Sequence, residues 1–240
     1  MRTYHSLARR VVAILALWPG AATCLAAEEQ FWPELDVFHK LDDRTRLFFL
    51  GALTRAEDAD APDGAPRYEN GKLGAHVDIS LRPLLRQDLQ DKDWERNRYL
   101  WMRLGYNYVG NYRNDGSSYH EDRGIVELSM RQPAGEGLTI TGRLKWDLRN
   151  IDGDYSNRYR ARVGLEWATK LGGYALAPYA HAETSYDTRY DAWNRQRYQT
   201  GVEATLTSNW RIEPYLARQN DNRSAPNHIN ALGLIFKYYF

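Results

Sequence analysis

The chain has 240 residues, 26% of them charged, and its 32 Lys and Arg so nearly balance its 31 Asp and Glu that the formal net charge is +1. Beyond residue 27 no run approaches the roughly 18 consecutive apolar residues a membrane-crossing helix needs, which excludes a helical membrane protein, and a near-neutral chain offers no nucleic-acid footprint. What remains is one soluble domain or a membrane β-barrel, whose strands alternate apolar and polar residues and so hide their hydrophobicity from any averaging window.

Tyr (17) and Trp (8) outnumber Phe (6), Met (3) and Cys (1), the bias expected of rings that sit at a membrane interface. Residues 1–27 read as an export signal: Arg2, Arg9 and Arg10 give a positive start, Val11 to Trp18 an apolar stretch, and Ala21 to Ala27 small residues with cleavage near Ala26 or Ala27. Cys24 is the only cysteine, and Ala21-Ala22-Thr23 before it is a poor lipid-attachment motif, so the mature chain is expected to carry no thiol and no disulfide. Residues 28–240 are then a single domain.

Segments of period two follow one another along that domain. An ambiguous one at 31–40 is joined by a tight turn at Asp42-Asp43 to a strand at 44–55. Next, Leu73, Ala75, Val77, Ile79 and Leu81 oppose Lys72, His76, Asp78, Ser80 and Arg82. Strands at 95–109 and 120–132 lead to the clearest case, 138–149, where Leu138, Ile140, Gly142, Leu144, Trp146 and Leu148 oppose Thr139, Thr141, Arg143, Lys145, Asp147 and Arg149. One face suits lipid and the other water. In the strand 156–169, Tyr159, Ala161, Val163, Leu165 and Trp167 oppose Arg158, Arg160, Arg162 and Glu166; strands at 174–187, 195–206, 210–220 and 229–240 complete the series.

Connections alternate in length. Pro133 to Gly137, Leu171-Gly172-Gly173 and Ser208-Asn209 read as compact turns, placed in the periplasm, and 56–70, 110–119, 150–155, 188–194 and 221–227 as longer outer loops. With directions so fixed, outward aromatics fall into two belts: Trp167, Tyr174, Trp210, Tyr238 and Phe240 at one end, Tyr106, Tyr108, Trp146, Tyr159, Tyr186 and Tyr198 at the other. These observations predict an all-β, antiparallel transmembrane barrel of 10–12 strands. Eleven segments are visible, whereas a barrel with both ends in the periplasm needs an even number, so either 31–40 lies partly in the lumen or a twelfth strand is missing.

Phe31-Trp32-Pro33-Glu34-Leu35-Asp36-Val37, Arg123-Gly124-Ile125-Val126-Glu127-Leu128, the run from Tyr186 to Arg195, and the stretch from Arg218 through Leu234 resemble the bacterial family called domain of unknown function 2490. That resemblance implies an outer-membrane barrel without an assigned activity. A fainter similarity, in size and architecture alone, is to channels for acidic sugars, and it favours twelve strands. The ending Phe236-Lys237-Tyr238-Tyr239-Phe240 resembles the terminal strand that the barrel-assembly machinery of a Gram-negative outer membrane recognises.

The lumen faces carry Arg143, Lys145, Arg149, Arg158, Arg160, Arg162 and Arg197 against Asp147, Glu166 and Glu203. If the hairpin turns within 150–155, Arg143 meets Arg162, Lys145 meets Arg160 and Asp147 meets Arg158. Directly opposed like charges cost stability and ask for acids across the lumen or an anionic ligand. The expected function is therefore a channel for small anionic solutes such as acidic sugars. A plugged structural or partner-binding barrel is the alternative.

His181, Glu183 and Ser185 share one strand face, but same-face neighbours almost 7 Å apart make a poor triad, and a lipid hydrolase would not draw its substrate from the lumen. No enzyme, metal or cofactor is expected. The rim segments Asp187, Arg189, Tyr190, Asp191, Trp193, Asn194, Arg195 and Asn220, Asp221, Arg223 are expected to shape the pore entrance.

Overall fold

Alternating apolar and polar residues build one sheet and roll it closed. The computed structural model describes residues 27–57, 67–90, 98–111, 118–223 and 227–240, so the expected export segment lies outside the described residues apart from Ala27. In chain order the strands are β1 (Glu28–Lys40), β2 (Thr45–Ala56), β3 (Arg67–Ser80), β4 (Leu100–Asn111), β5 (Tyr119–Gly135), β6 (Leu138–Ile151), β7 (Asp154–Trp167), β8 (Thr169–Leu171), β9 (Tyr174–Asp187), β10 (Ala192–Thr205), β11 (Trp210–Asp221) and β12 (His228–Tyr239). The three-residue β8 extends the line of β7 along the first residues of β9, so the wall has eleven staves. No helix among the described residues is long and apolar enough to cross a membrane.

The strand count corrects the parity expected from the sequence. β1 runs parallel to β12, from Glu28 opposite Ile229 to Phe38 opposite Tyr239, while the other neighbouring strands pair antiparallel. An odd meander brings its first and last strands together pointing the same way, so closure is parallel and both edges are satisfied. An even number is needed only where every pair is antiparallel. Segment 31–40 is thus a full wall strand and not a lumen insert.

The sidedness follows the alternation. Leu73, Leu144 and Val163 point outward with 66%, 60% and 62% of their surface exposed, whereas Asp78, Asp147 and Asp187 point inward at 0%. A water-soluble protein would reverse that distribution. Rings of the two belts touch: across strands, Trp146 with Tyr159 at 5.9 Å, Tyr159 with Tyr186 at 6.4 Å and Tyr186 with Trp193 at 5.7 Å at one end and Trp210 with Tyr238 at 4.6 Å at the other, where Tyr238 also meets Phe240 further along its own chain segment at 5.6 Å. Between them runs an apolar band that includes Leu35, Leu53, Leu104, Leu128, Leu216 and Leu232.

Two connections differ from expectation. Residues 150–155 form no long loop: Ile151 pairs with Asp154, leaving a two-residue Asp152-Gly153 turn with φ of +52° and +97°. Asp-Gly is among the strongest hairpin signals because both central residues of this turn need positive φ. The loop at 188–194 likewise shrinks to 188–191, since Ala192 already pairs with Asp187. At the Phe240 end, where short turns were expected, 81–99 forms a long connection that contains a 3-10 turn at Arg82–Leu84 and a four-residue helix at Gln87–Gln90. The loops read at 56–70, 110–119 and 221–227 fall partly outside the described residues.

The turn after β1 has a simple local cause. Asp42 accepts hydrogen bonds from the backbone N–H groups of Arg44 (2.7 Å) and Thr45 (2.8 Å), which hold its carboxyl below the usual carboxylate range.

A base-rich wall in the barrel lumen

Inward residues of neighbouring strands stand side by side in rows. One row reads Arg197 on β10, Glu183 on β9, Arg162 on β7, Arg143 on β6 and Ser129 on β5. The row next to it, toward the Asp152 end, reads Arg195, Ser185, Arg160, Lys145 and Glu127. A third reads Asp187, Arg158 and Asp147. Arg143 therefore does meet Arg162, and Lys145 meets Arg160, because the Asp152-Gly153 turn sets the register the sequence implied.

Opposed like charges are held by carboxylates shared among them. Glu183 accepts from Arg143 and from Arg162 (3.0 Å), with Arg160 at 3.8 Å. Asp147 holds Arg160 at 2.5 Å and Lys145 at 3.8 Å, and Asp187 holds Arg149 at 2.6 Å and Arg158 at 2.7 Å. Glu121 binds Arg149 and Arg123 (2.8 Å), while Glu127 lies 3.9 Å from Arg143 and 4.0 Å from Lys145. Arg197, beside Glu183 in register, instead donates from Nε to the Gln219 amide oxygen at 3.1 Å and lays its guanidinium over the Trp32 ring at 4.7 Å. This wall gathers eight bases around five acids, three more bases than acids.

The acids lie underneath. Side chains of the five carboxylates expose 0–4% of their surface, whereas Arg143 exposes 22%, Arg162 21%, Arg160 16% and Lys145 13%. Water in the lumen therefore meets guanidinium and ammonium groups rather than the carboxylates that hold them.

The rest of the lumen is built differently. Asp78 holds Arg46 at 2.8 Å and Arg103 at 2.6 Å, Glu34 holds Lys72 at 3.3 Å, and Glu203 holds Arg211 at 2.5 Å and Lys237 at 2.6 Å; Glu213 also receives Lys237. Together with the buried Asp36 these residues make five acids and five bases. Phe38 stacks between Phe48 (4.8 Å) and Tyr239 (4.7 Å), with Arg46 over Phe38 and Arg103 over Phe48. Tyr215 lies flat where a Cβ on Gly233 would come within 1.9 Å, which keeps the ring against the wall.

Each residue expected from the sequence can now be placed. Arg143, Lys145, Arg149, Arg158, Arg160, Arg162 and Arg197 come together on one wall. Glu166 and Glu203, expected to balance them, instead pair with Arg131 and with Arg211 and Lys237. The carboxylates that do the balancing include Glu121 and Glu127, which the sequence reading left out. Alternation on β5 could have found them, since Glu121, Arg123, Glu127 and Ser129 share one face. His181, Glu183 and Ser185 share the inward face, but Glu183 is committed to arginines and the His181 ring stacks on Tyr179 at 5.4 Å, which is not a triad.

The rim set divides. Asp187 and Asp221 point inward and tie down the rim, Asp187 through Arg149, Arg158 and the Arg189 N–H (3.1 Å), Asp221 through Arg195 (2.6 Å) and the Arg223 N–H (3.0 Å). Asn194 is buried beside Asp221. Trp193 and Asp191 instead join the outer belt, Trp193 against Tyr186 and Asp191 accepting from the Tyr186 hydroxyl, and Tyr190 stands half-exposed at the tip of the turn. Asn220, on the outward phase of β11, accepts from Arg218 at 3.2 Å and lies 3.0 Å from His228, so it belongs to the outer face and not to the entrance.

An apolar exterior between two aromatic belts, a charged interior and a closed wall define an outer-membrane-type β-barrel. The chain belongs to the DUF2490 family, described as proteins of unknown function, whose model matches residues 67–230, from the start of β3 into β12. No curated protein sequence matches it. Similar solved structures include LpxR from Salmonella typhimurium, at 12% identity and a TM-score of 0.45, covering 80% of this chain and 83% of that one. The beta domain of the Bordetella autotransporter BrkA is also similar, at 12% identity and a TM-score of 0.47, covering 80% of this chain and 81% of that one.

Proposed function

We propose that this protein is a low-conductance channel of a Gram-negative outer membrane that favours small anions, acidic sugars among them. The observation that carries the reading is the layering of the base-rich wall: its carboxylates expose 0–4% beneath Arg123, Arg143, Lys145, Arg160 and Arg162, which expose 13–22%, and its bases outnumber its acids by three. Fixed positive charge lining a narrow, poorly screened passage attracts anions and repels cations. Low conductance follows from the inward side chains, which occupy much of the bore. The Phe240 end, with its terminal aromatic strand, is assigned to the periplasm, and the opposite rim to the outside.

Planar-bilayer recording of the refolded chain under a salt gradient tests the proposal. The expected reversal potential has the sign of anion preference, and cation preference would overturn it. The same burial of the charged wall favours a second reading, a plugged barrel with a structural or docking role; an absence of current through inserted, heat-modifiable barrels would select that reading.

A further inference from the structure

We propose that the row Arg197, Glu183, Arg162 and Arg143 forms a binding site for one small doubly charged oxyanion. The proposal rests on the reading that solutes enter the lumen, and it adds where they stop and with what charge. The row carries three guanidinium groups and one carboxylate on four adjacent strands; the carboxylate takes Arg143 and Arg162 and not Arg197, so bases outnumber acids in the row by two. Among the described residues no carboxylate lies within ion-pair distance of Arg197, whose bonded acceptor is the neutral Gln219 amide.

Two further polar atoms there are buried without a hydrogen-bond partner among the described residues: Nε of Arg143 and Nε2 of His181, the inward neighbour of Glu183 on β9. A buried guanidinium N–H is costly unless something accepts from it, and so is the imidazole nitrogen, which is a donor in its Nε2–H tautomer. An oxyanion supplies several acceptor oxygens at once, and guanidinium groups present paired N–H groups in the matching fork geometry. One chloride would offset half of that surplus and could not satisfy several separated donors, and a neutral sugar would offset none of it.

The test uses the full chain refolded in detergent, with isothermal titration of hydrogen phosphate and of succinate against chloride and glucose. Both dianions are expected to bind saturably at one site, and glucose is not. Arg197→Gln, which removes no ion pair, is expected to weaken dianion binding about tenfold or more, the effect of one charge-assisted contact, and Arg197→Lys to restore part of it. Arg211→Gln, on the other side of the lumen, is expected to leave binding unchanged. Absence of saturable dianion binding, or undiminished binding in Arg197→Gln, overturns the site. Current measured on the same preparation separates the two proposals: saturable binding without current keeps the site and removes the channel, while anion-selective current without saturable binding keeps the channel and removes the site.

Discussion

The two sides of the lumen solve the same problem in opposite ways. On the side of β11, β12 and β1 to β4, with Glu203 of β10 reaching across, the five acids and five bases described above match in number, and in several pairs the partners are about equally exposed, as in Lys72 at 28% with Glu34 at 23%. Stacked rings fill the space between them. The base-rich wall has too few acids for its bases, and each of its five carboxylates sits under two or three of them. The first arrangement neutralises itself and serves as filling. The second is stable only because its acids are shared, and sharing leaves net charge facing the bore.

If that contrast is right, removing an acid should hurt most on the base-rich side. Glu183→Ala leaves Arg143 and Arg162 opposed with no carboxylate between them and is expected to destabilise the barrel by about 3–5 kcal/mol. Glu203→Ala should cost only about 1–3 kcal/mol, because Lys237 keeps Glu213 and Arg211, though it loses its carboxylate, keeps the Tyr239 ring at 5.2 Å. Urea unfolding of vesicle-inserted protein, followed by heat-modifiable gel mobility, measures both. Equal losses would erase the distinction between the walls.

Next in size is the outer face, which both walls share. Val163→Arg places a charge in the lipid-facing band and is expected to cost about 2–4 kcal/mol by the same unfolding assay. A negligible change would mean that the inward and outward phases are reversed.

The double variant Arg143→Gln with Arg162→Gln sharpens the comparison without breaking the fold, since it relieves repulsion and Glu183 retains Arg160 at 3.8 Å. Anion preference should fall while the unfolding midpoint moves little. Salt gives a finer reading of the same charge. The screening length grows from about 10 Å at 0.1 M to about 30 Å at 0.01 M, so preference in the unaltered chain should rise on dilution. A preference indifferent to salt would point to size selection.

The smallest effect is expected at the turn after β1. Because the folded-state carboxyl of Asp42 lies below its ordinary value, its contribution is present above the unfolded range near pH 4 and is lost as pH falls through the folded value. Asp42→Asn should therefore flatten the acid limb of the unfolding midpoint plotted against pH, and an unchanged limb would remove the turn from the account.

By itself the sequence determined the sidedness of nearly every strand and the two belts, and, on the condition that the hairpin turned within 150–155, it implied the Arg143 to Arg162 register. Alternation has a period of two residues, and a two-residue turn fixes pairing on both sides of it, so each of these is decided by neighbours in the chain. Tertiary structure decided what no local pattern holds. Whether β1 joins the wall depends on β12 at the far end of the chain, and the parallel seam between them settles an odd strand count that parity alone had ruled out. Which acid holds which base depends on strands two apart around the barrel: Glu183 reaches Arg143 across 40 residues, and Asp187 reaches Arg149 across 38. The order of burial, acids beneath and bases above, arises only when these strands curve around a common axis. Short carboxylates then stay near the wall, and long guanidinium side chains extend from it into the bore.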